Sequence, residues 1–350
     1  MKYSVIVPVY NRPDEVAELL ESLAAQSSGD FEVIIVEDGS TVDCRDVCRS
    51  YEDRLDLKYF AKPNSGPGQS RNYGAERASG DYLLVVDSDV VLPHDYIKAV
   101  DEALASGSNA PDNHSPLTNQ IAAFGGPDAA HPSFTPVQKA ISYSMTSFFT
   151  TGGIRGGKKK LDKFYPRSFN MGIRADVYRQ LGGFTRMRFG EDIDFSHRIV
   201  EAGYEPRLIP EAWVWHKRRT DFRKFWRQVY NSGIARINLE KRHPGTLKLV
   251  HLLPTVFTLG VATLLLLAVV LLAVGCWKGA LAALSPLLLY SFIIFADTSL
   301  DSKSLKVGLL SVPAAFIQLT GYGTGFIESW WKRSVLGKDE FQAYEKTFYK

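Results

Sequence analysis

Three long apolar runs in the C-terminal third constrain this 350-residue chain more than any other feature. They cover about 249–275, 279–296 and 307–327. Each is near or above the length a helix needs to cross a ~30 Å hydrocarbon core. The first run is unbroken, whereas Pro286 and Pro313 interrupt the other two, so two to three spans are expected. The mean hydropathy of −0.10 conceals this, because up to about Pro210 the chain alternates like a soluble α/β protein. At roughly 150 residues per domain the length gives about two units. The expected layout is a catalytic α/β domain over 1–216, basic amphipathic interfacial helices over 217–248, a transmembrane region over 249–327 and a polar tail over 328–350.

Between Lys217 and Lys248 there are ten Lys/Arg against two acids, interleaved with Phe222, Phe225, Trp226 and Tyr230. Such a helix suits the surface of anionic lipid, with its aromatics in the headgroup layer. By the positive-inside rule this belt marks the cytoplasmic end of the first span. The expectation is a multi-pass protein of the inner membrane with its α/β domain facing the cytosol. A strict three-pass path leaves Lys332, Arg333 and Lys338 outside, against the same rule. The net charge of +3 excludes a nucleic-acid binder built on bulk charge. Three cysteines (Cys44, Cys48, Cys276) are too few for a disulfide framework and fit a reducing compartment. Cys44 and Cys48 sit four apart, spacing open to a disulfide or a metal pair, but nothing nearby completes a zinc site. The N-terminus does not read as a signal peptide, because its short apolar stretch ends at Asn11-Arg12-Pro13.

The N-terminal pattern predicts buried strands over 3–10 (YSVIVPVY), 31–37 (FEVIIVE) and 81–86, with a shorter strand over 55–60. Helices are expected over 14–26, where Val16, Leu19, Leu20 and Leu23 share a face, over 41–51, and over 66–79 after the turn NSGPGQSRN. Strand–helix units of about thirty residues mean a mostly parallel sheet with right-handed crossovers. Ligands of such sheets bind beyond the carboxyl ends of the strands. Two segments, 106–120 and 150–163 (TTGGIRGGKKKLDK), read as loops able to act as flaps over an active site.

Three acidic clusters carry the chemistry. Asp87-Ser88-Asp89 follows a buried strand, where two carboxylates suit a hard cation such as Mg²⁺ or Mn²⁺ and, with it, a diphosphate. Glu37-Asp38-Gly39-Ser40 ends another strand. Asp38 is placed to accept from a nucleobase N–H, and Ser40 to cap the following helix. Gly190-Glu191-Asp192-Ile193-Asp194 crowds acids at the start of a helix, where one of them can act as a general base. His216 follows the short apolar strand 212–215 and is a candidate third metal ligand.

Taken in order, VPVYNRPDEVAELLESLAAQ, EVIIVEDGS, GPGQSRNYGAERASGDYLLVVDSD, FNMGIRADVYRQLGGF and GEDIDFSHRI resemble family 2 glycosyltransferases of the GT-A fold, over about 2–216. The resemblance implies a nucleotide-sugar-binding, Rossmann-like domain. It implicates Pro8, Tyr10, Asn11 and Asp38 in holding base and ribose, and Arg71 near the donor. It implicates Asp87 and Asp89 at ribose and metal, Asp192 as the catalytic base, and Glu191 beside it as part of the catalytic pair. It further implies an inverting transfer that needs Mn²⁺ or Mg²⁺, with a UDP-sugar as the commonest donor type. The stretch WRQVYNSGIAR (226–236) has Gln228 but lacks the Q-x-x-R-W of polymer-extruding synthases. The tail layout is similar to that of bacterial enzymes adding single sugars to lipid-linked saccharides or glycolipids in cell-surface glycan synthesis. A polyprenyl-phosphate glycosyltransferase is the alternative, and a catalytically silent membrane scaffold a further one.

Overall fold

Buried β-rich runs separated by amphipathic helices fold here into an open twisted sheet. The computed structural model describes residues 1–107, 121–151, 164–187 and 189–340. Its elements run β1 (Tyr3–Val9), α1 (Pro13–Ala24), β2 (Phe31–Asp38), α2 (Arg45–Arg49), β3 (Asp56–Lys62), α3 (Pro67–Ala75), β4 (Tyr82–Val86), β5 (Val90–Val91) and α4 (Tyr96–Gly107). They continue with β6 (Ala123–Gly125), β7 (Asp128–Ala129), α5 (Pro136–Thr146), α6 (Phe148–Thr151), β8 (Asn170–Arg174), α7 (Ala175–Gln180), α8 (Glu191–Glu201), β9 (Arg207–Leu208) and β10 (Val214–His216). The long helices α9 (Phe222–Arg242), α10 (Leu253–Ala273), α11 (Trp277–Ser302) and α12 (Leu305–Trp330) follow. The described residues form two compact units, 1–131 with 164–217 and 132–151 with 218–340. Residues 132–151, which the sequence places in the first domain, therefore belong to the second unit. The expected flaps lie outside the described residues, apart from 106–107 and 150–151.

The first unit is built on a sheet of order β3-β2-β1-β4-β8-β6-β9. β3, β2, β1 and β4 are parallel, β8 is antiparallel to both β4 and β6, and β9 is parallel to β6. Only β8 opposes the rest, so the sheet is mostly parallel. Alternate side chains leave opposite faces of a strand. Val5, Val7 and Val9 accordingly pack with Val16, Leu19, Leu20 and Leu23 of α1, while Ile6 and Val85 join Ile173, Phe184 and Phe195 on the other face. Each such fully buried side chain contributes about 1.5–3 kcal/mol. Pro8 is tolerated inside this sheet because the β1–β4 pairing has already ended at Ile6.

A second, three-stranded sheet orders β5-β10-β7. His216 pairs in register with Val90, and Val214 with Asp128. This small sheet carries a residue from position 216 back to the acids that follow β4.

Helix α2 is shorter than the sequence suggests. Asn11 Oδ1 accepts from the N–H groups of Thr41 and Val42, and Glu37 Oε2 accepts from that of Cys44, which holds 41–44 as a loop. Cys44 and Cys48 are buried free thiols, 3.9 Å apart at sulfur.

In the second unit three helices, Leu249–Ala273, Trp277–Ser302 and Leu305–Val335, are long and apolar enough to cross a membrane. Pro286 and Pro313 lie inside continuous helices and do not break them, correcting the expectation. Proline leaves the carbonyl four residues back without its N–H partner. For Pro286 that carbonyl is Ala282 O, and Ser285 Oγ donates to it at 2.8 Å.

Two of the aromatics of α9 take part in packing within the second unit. Phe225 is fully buried against Ile141, Met145 and Val229, and Tyr230 donates to Glu328, so these two rings meet protein. Small residues allow the approach. A Cβ on Gly233 would lie 2.1 Å from Tyr322 O, and one on Gly325 2.1 Å from Tyr230 O. Close backbone contact through glycine is the packing mode of helices in lipid.

Candidate functional site

The carboxyl ends of β1, β2 and β4, the start of α8 and the end of β10 supply the site, where a sheet of this kind binds ligands. At the end of β1, Asn11 adopts φ +54. Its N–H donates to Ser40 Oγ at 2.7 Å, and its carboxamide oxygen takes the 41–42 backbone. Ser40 thus ties β1 to β2 and does not cap α2, whose N-cap is Cys44. Pro8 is buried within β1, and Tyr10 lies half-buried at its end.

Asp38 is buried, and both of its oxygens are engaged. Ser65 and Gly66 donate backbone N–H groups to it, each at 2.9 Å, and Lys62 forms an ion pair with it. Its carboxylate therefore holds the turn that leads into α3. Gly39 fits beside this turn because its φ is +74 and a Cβ would lie 2.7 Å from Asn64 N.

Asp87, Asp89 and His216 offer ligand atoms that all lie within 4.8 Å of one another. His216 Nε2 is 3.4 Å from Asp89 Oδ1, and its Nδ1 is buried without a hydrogen bond, 3.8 Å from Asp128 Oδ2. Burial opposes the charged imidazole, but Asp128, Asp89 and Asp87 outweigh it and raise its pKa to about 9. The surroundings thus attract positive charge, and the donor set, two carboxylates and an imidazole whose Nε2 faces Asp89, fits a divalent cation.

Arginines divide the acids between them. The buried Arg71 guanidinium bridges two clusters, with Nη2 to Asp87 Oδ1 at 2.7 Å and Nη1 to Glu191 Oε1 at 2.9 Å. Arg167 Nε donates to Asp192 Oδ2 at 2.6 Å. Arg198 and Thr185 hold Asp194. The crowded acids of α8 coexist because separate groups neutralise each one, at a helix start whose dipole favours anions. Burial, with Asp192 adding to it, pushes the Glu191 carboxyl up. Burial also opposes ionisation of Asp192, but Arg167 outweighs it and holds that carboxyl below the usual range.

Among the residues singled out by sequence, Asp87, Asp89 and His216 converge, and Arg71 joins Asp87 to Glu191. Asp192 pairs with Arg167, which sequence did not single out. Arg12, also missed, donates from Nη1 to Asp89 Oδ2 at 2.5 Å. Arg12 lies within the first of the quoted motifs, next to Asn11, but nothing in that motif pairs it with Asp89, and Arg167 lies outside the quoted motifs, so only the fold identifies these partners.

Residues 4–110 match the family model for glycosyl transferase family 2, and residues 168–310 the model for glycosyl transferase family group 2. An uncharacterized glycosyltransferase of Rickettsia bellii is 38% identical over 97 residues, 28% of this chain and 14% of its own length. Validoxylamine A glucosyltransferase of Streptomyces hygroscopicus is 28% identical over 228 residues, 60% of this chain and 54% of its own length. The chain thus spans about half, or less, of the length of these relatives. The mannosyltransferase PcManGT from Pyrobaculum calidifontis, solved with GDP-Man and Mn²⁺, shares the fold with a TM-score of 0.53 at 16% identity, over 95% of this chain and 88% of that one. The matches over 4–110 and 168–310 mark the chain as a family 2 glycosyltransferase.

Proposed function

We propose that the chain is a membrane-attached, metal-dependent inverting glycosyltransferase. Its donor would be a nucleotide-sugar and its acceptor a hydroxyl of a lipid-linked saccharide or glycolipid. The observation that carries this reading is the Arg71 bridge, which couples the Asp87 carboxylate at the end of β4 to Glu191 beside the candidate base. Support for a nucleotide-sugar donor comes from the fold neighbour solved with GDP-Man and Mn²⁺. Three apolar helices and the basic belt before them support attachment to the inner membrane, with the catalytic unit in the cytosol.

In this reading Pro8, Tyr10, Asn11 and Asp38 line the nucleoside end, and Asp38 acts by fixing the turn before α3. Asp87, Asp89 and His216 would hold Mn²⁺ or Mg²⁺, which supplies charge neutralisation for the departing diphosphate. The acceptor oxygen forms a bond to the anomeric carbon as the bond to the diphosphate oxygen breaks. Asp192 takes the acceptor's proton, and the nucleoside diphosphate leaves with the bonding pair. Each Asp192 oxygen already accepts one hydrogen bond, from Arg167 or from Ile193 N–H, and each keeps a further acceptor site.

The test is turnover. Full-length protein in nanodiscs would be given UDP-, GDP- and TDP-sugars with Mn²⁺ and bacterial lipid extract, and nucleoside diphosphate release followed. One donor class is expected to turn over, and Asp192→Asn to lower the rate by about 10²–10⁴ while nucleotide binding persists. Turnover indifferent to Asp192→Asn would instead favour a phosphate acceptor, which needs no base. No turnover with any donor would remove the enzyme reading.

A further inference from the structure

Both acids that follow β4 are held by arginine, but the two arginines differ. Arg71 is 3% exposed and makes two ion pairs, so it is a fixed part of the site. Arg12 makes a single bond to Asp89 Oδ2, and 32% of its side chain is exposed. Its backbone does not share that freedom. Arg12 follows Asn11, whose N–H and carboxamide are pinned to Ser40, Thr41 and Val42. Arg12 is also the N-cap of α1, where Val16 N–H donates to its carbonyl. The root of the side chain is therefore fixed at the ends of β1 and β2, while its tip reaches the acid after β4.

We infer that Arg12 is a tethered counter-ion that competes with the divalent cation for Asp89 and passes to the donor's diphosphate once the cation binds. This rests on the metal-dependent reading above. Arginine does not lose its proton, so a cation bound at Asp89 shares that carboxylate with a guanidinium 2.5 Å from Oδ2 and is repelled by it unless the guanidinium moves away. Without Arg12, Asp89 would lose this ion pair, and its repulsion with the neighbouring Asp87 carboxylate would favour an incoming metal. With Arg12 in place, a metal arriving alone replaces an existing ion pair and gains less. When the metal arrives with a diphosphate, the displaced guanidinium has a new anion, and its planar fork suits phosphate oxygens. Metal and nucleotide then bind with positive coupling through a residue that ligates no metal. Arg12 is a positioning residue in this scheme.

The experiment measures Mn²⁺ binding to detergent-purified full-length protein by electron paramagnetic resonance, without nucleotide and with UDP or GDP. Wild type, Arg12→Gln, Arg12→Lys and Asp89→Asn are compared. Arg12→Gln is expected to bind Mn²⁺ alone roughly tenfold more tightly, and to lose roughly tenfold of the enhancement that nucleotide gives, within the ordinary range of coupling between sites. Arg12→Lys keeps the charge but not the fork, so it is expected to bind Mn²⁺ alone near wild type and to keep only part of the enhancement that nucleotide gives. The inference is overturned, with the metal site intact, if Arg12→Gln binds Mn²⁺ as wild type does while Asp89→Asn does not bind it. Mn²⁺ binding to none of the four proteins, even with nucleotide, overturns both the inference and the metal reading. Matching thermal melts of wild type and Arg12→Lys guard against a folding artefact.

Discussion

Arg167 Nε donates to Asp192 Oδ2 at 2.6 Å, which places a fixed positive charge against the carboxylate read as the base. Two local anchors hold Arg167. Asn170 N–H donates to its carbonyl at 3.0 Å, and Ser196 Oγ donates to the carbonyl of the preceding Pro166 at 2.6 Å. The second anchor ties this turn to α8, the helix that carries Asp192. The base and its partner therefore share one rigid frame.

A pH profile should report this pair. Asp192 is held below the usual carboxylate range by Arg167, against the push of burial. A base works above its own pKa, so the acidic limb of kcat lies low in wild type. Arg167→Gln removes the cation and lets the pKa rise. The limb should then move to higher pH by at least about one pH unit, with most of the lost rate recovered on the alkaline side. Arg167→Lys should move it less. A rate that falls equally at every pH would make Arg167 merely structural.

Glu32 offers a test of the fold alone. It is buried in β2 and accepts from Ser4 Oγ at 2.6 Å, Ser79 N–H at 2.6 Å and Lys58 Nζ at 2.5 Å. Burial opposes its ionisation, but Lys58, Ser4 and Ser79 outweigh it and hold its pKa at about 2. A depressed carboxyl stabilises fully above its unfolded pKa, about 4.3, and that contribution fades as pH falls toward 2. Glu32→Gln should therefore lower stability by about 2 kcal/mol at pH 7 and progressively less below pH 4.5. Thermal melts over that range would show it.

The α9–α12 contact should be as intolerant of bulk as its spacing implies. A Cβ on Gly233 would lie 2.8 Å from Phe326 N as well as 2.1 Å from Tyr322 O. Backbone atoms cannot give way as a side-chain tip can. Gly233→Leu should destabilise the second unit by at least ~2 kcal/mol, seen as an earlier melt in detergent. The neighbouring exposed position Ser232→Leu should change little.

The parts of the fold readable in sequence were those with an internal period. β1, β2 and β4 emerge within a residue or two because they are continuous apolar runs, and α1 because Val16, Leu19, Leu20 and Leu23 repeat at helical spacing. β8 (NMGIR) was not read as a strand, because its central Gly172 leaves no alternation. A Cβ there would lie 2.0 Å from the Phe124 ring, a tertiary reason invisible locally. The same division holds in the site. The acidic clusters stand out as clusters, but their partners do not. Arg12 meets Asp89 across 77 residues and Arg167 meets Asp192 across 25, and a single arginine has no spacing to read. The proline-containing spans misled for a related reason, since a side chain such as Ser285 can take over a carbonyl that proline leaves without its partner.

The most direct measurement of the central claim is calorimetric binding of UDP and GDP to detergent-purified protein, with and without Mn²⁺, repeated on Asp89→Asn. One nucleotide is expected to bind, to need Mn²⁺, and to lose that need together with most of its affinity in Asp89→Asn. Folded protein that binds neither nucleotide, or that binds one equally well without Mn²⁺ and without Asp89, would contradict a metal-dependent donor site at the ends of β4 and β10.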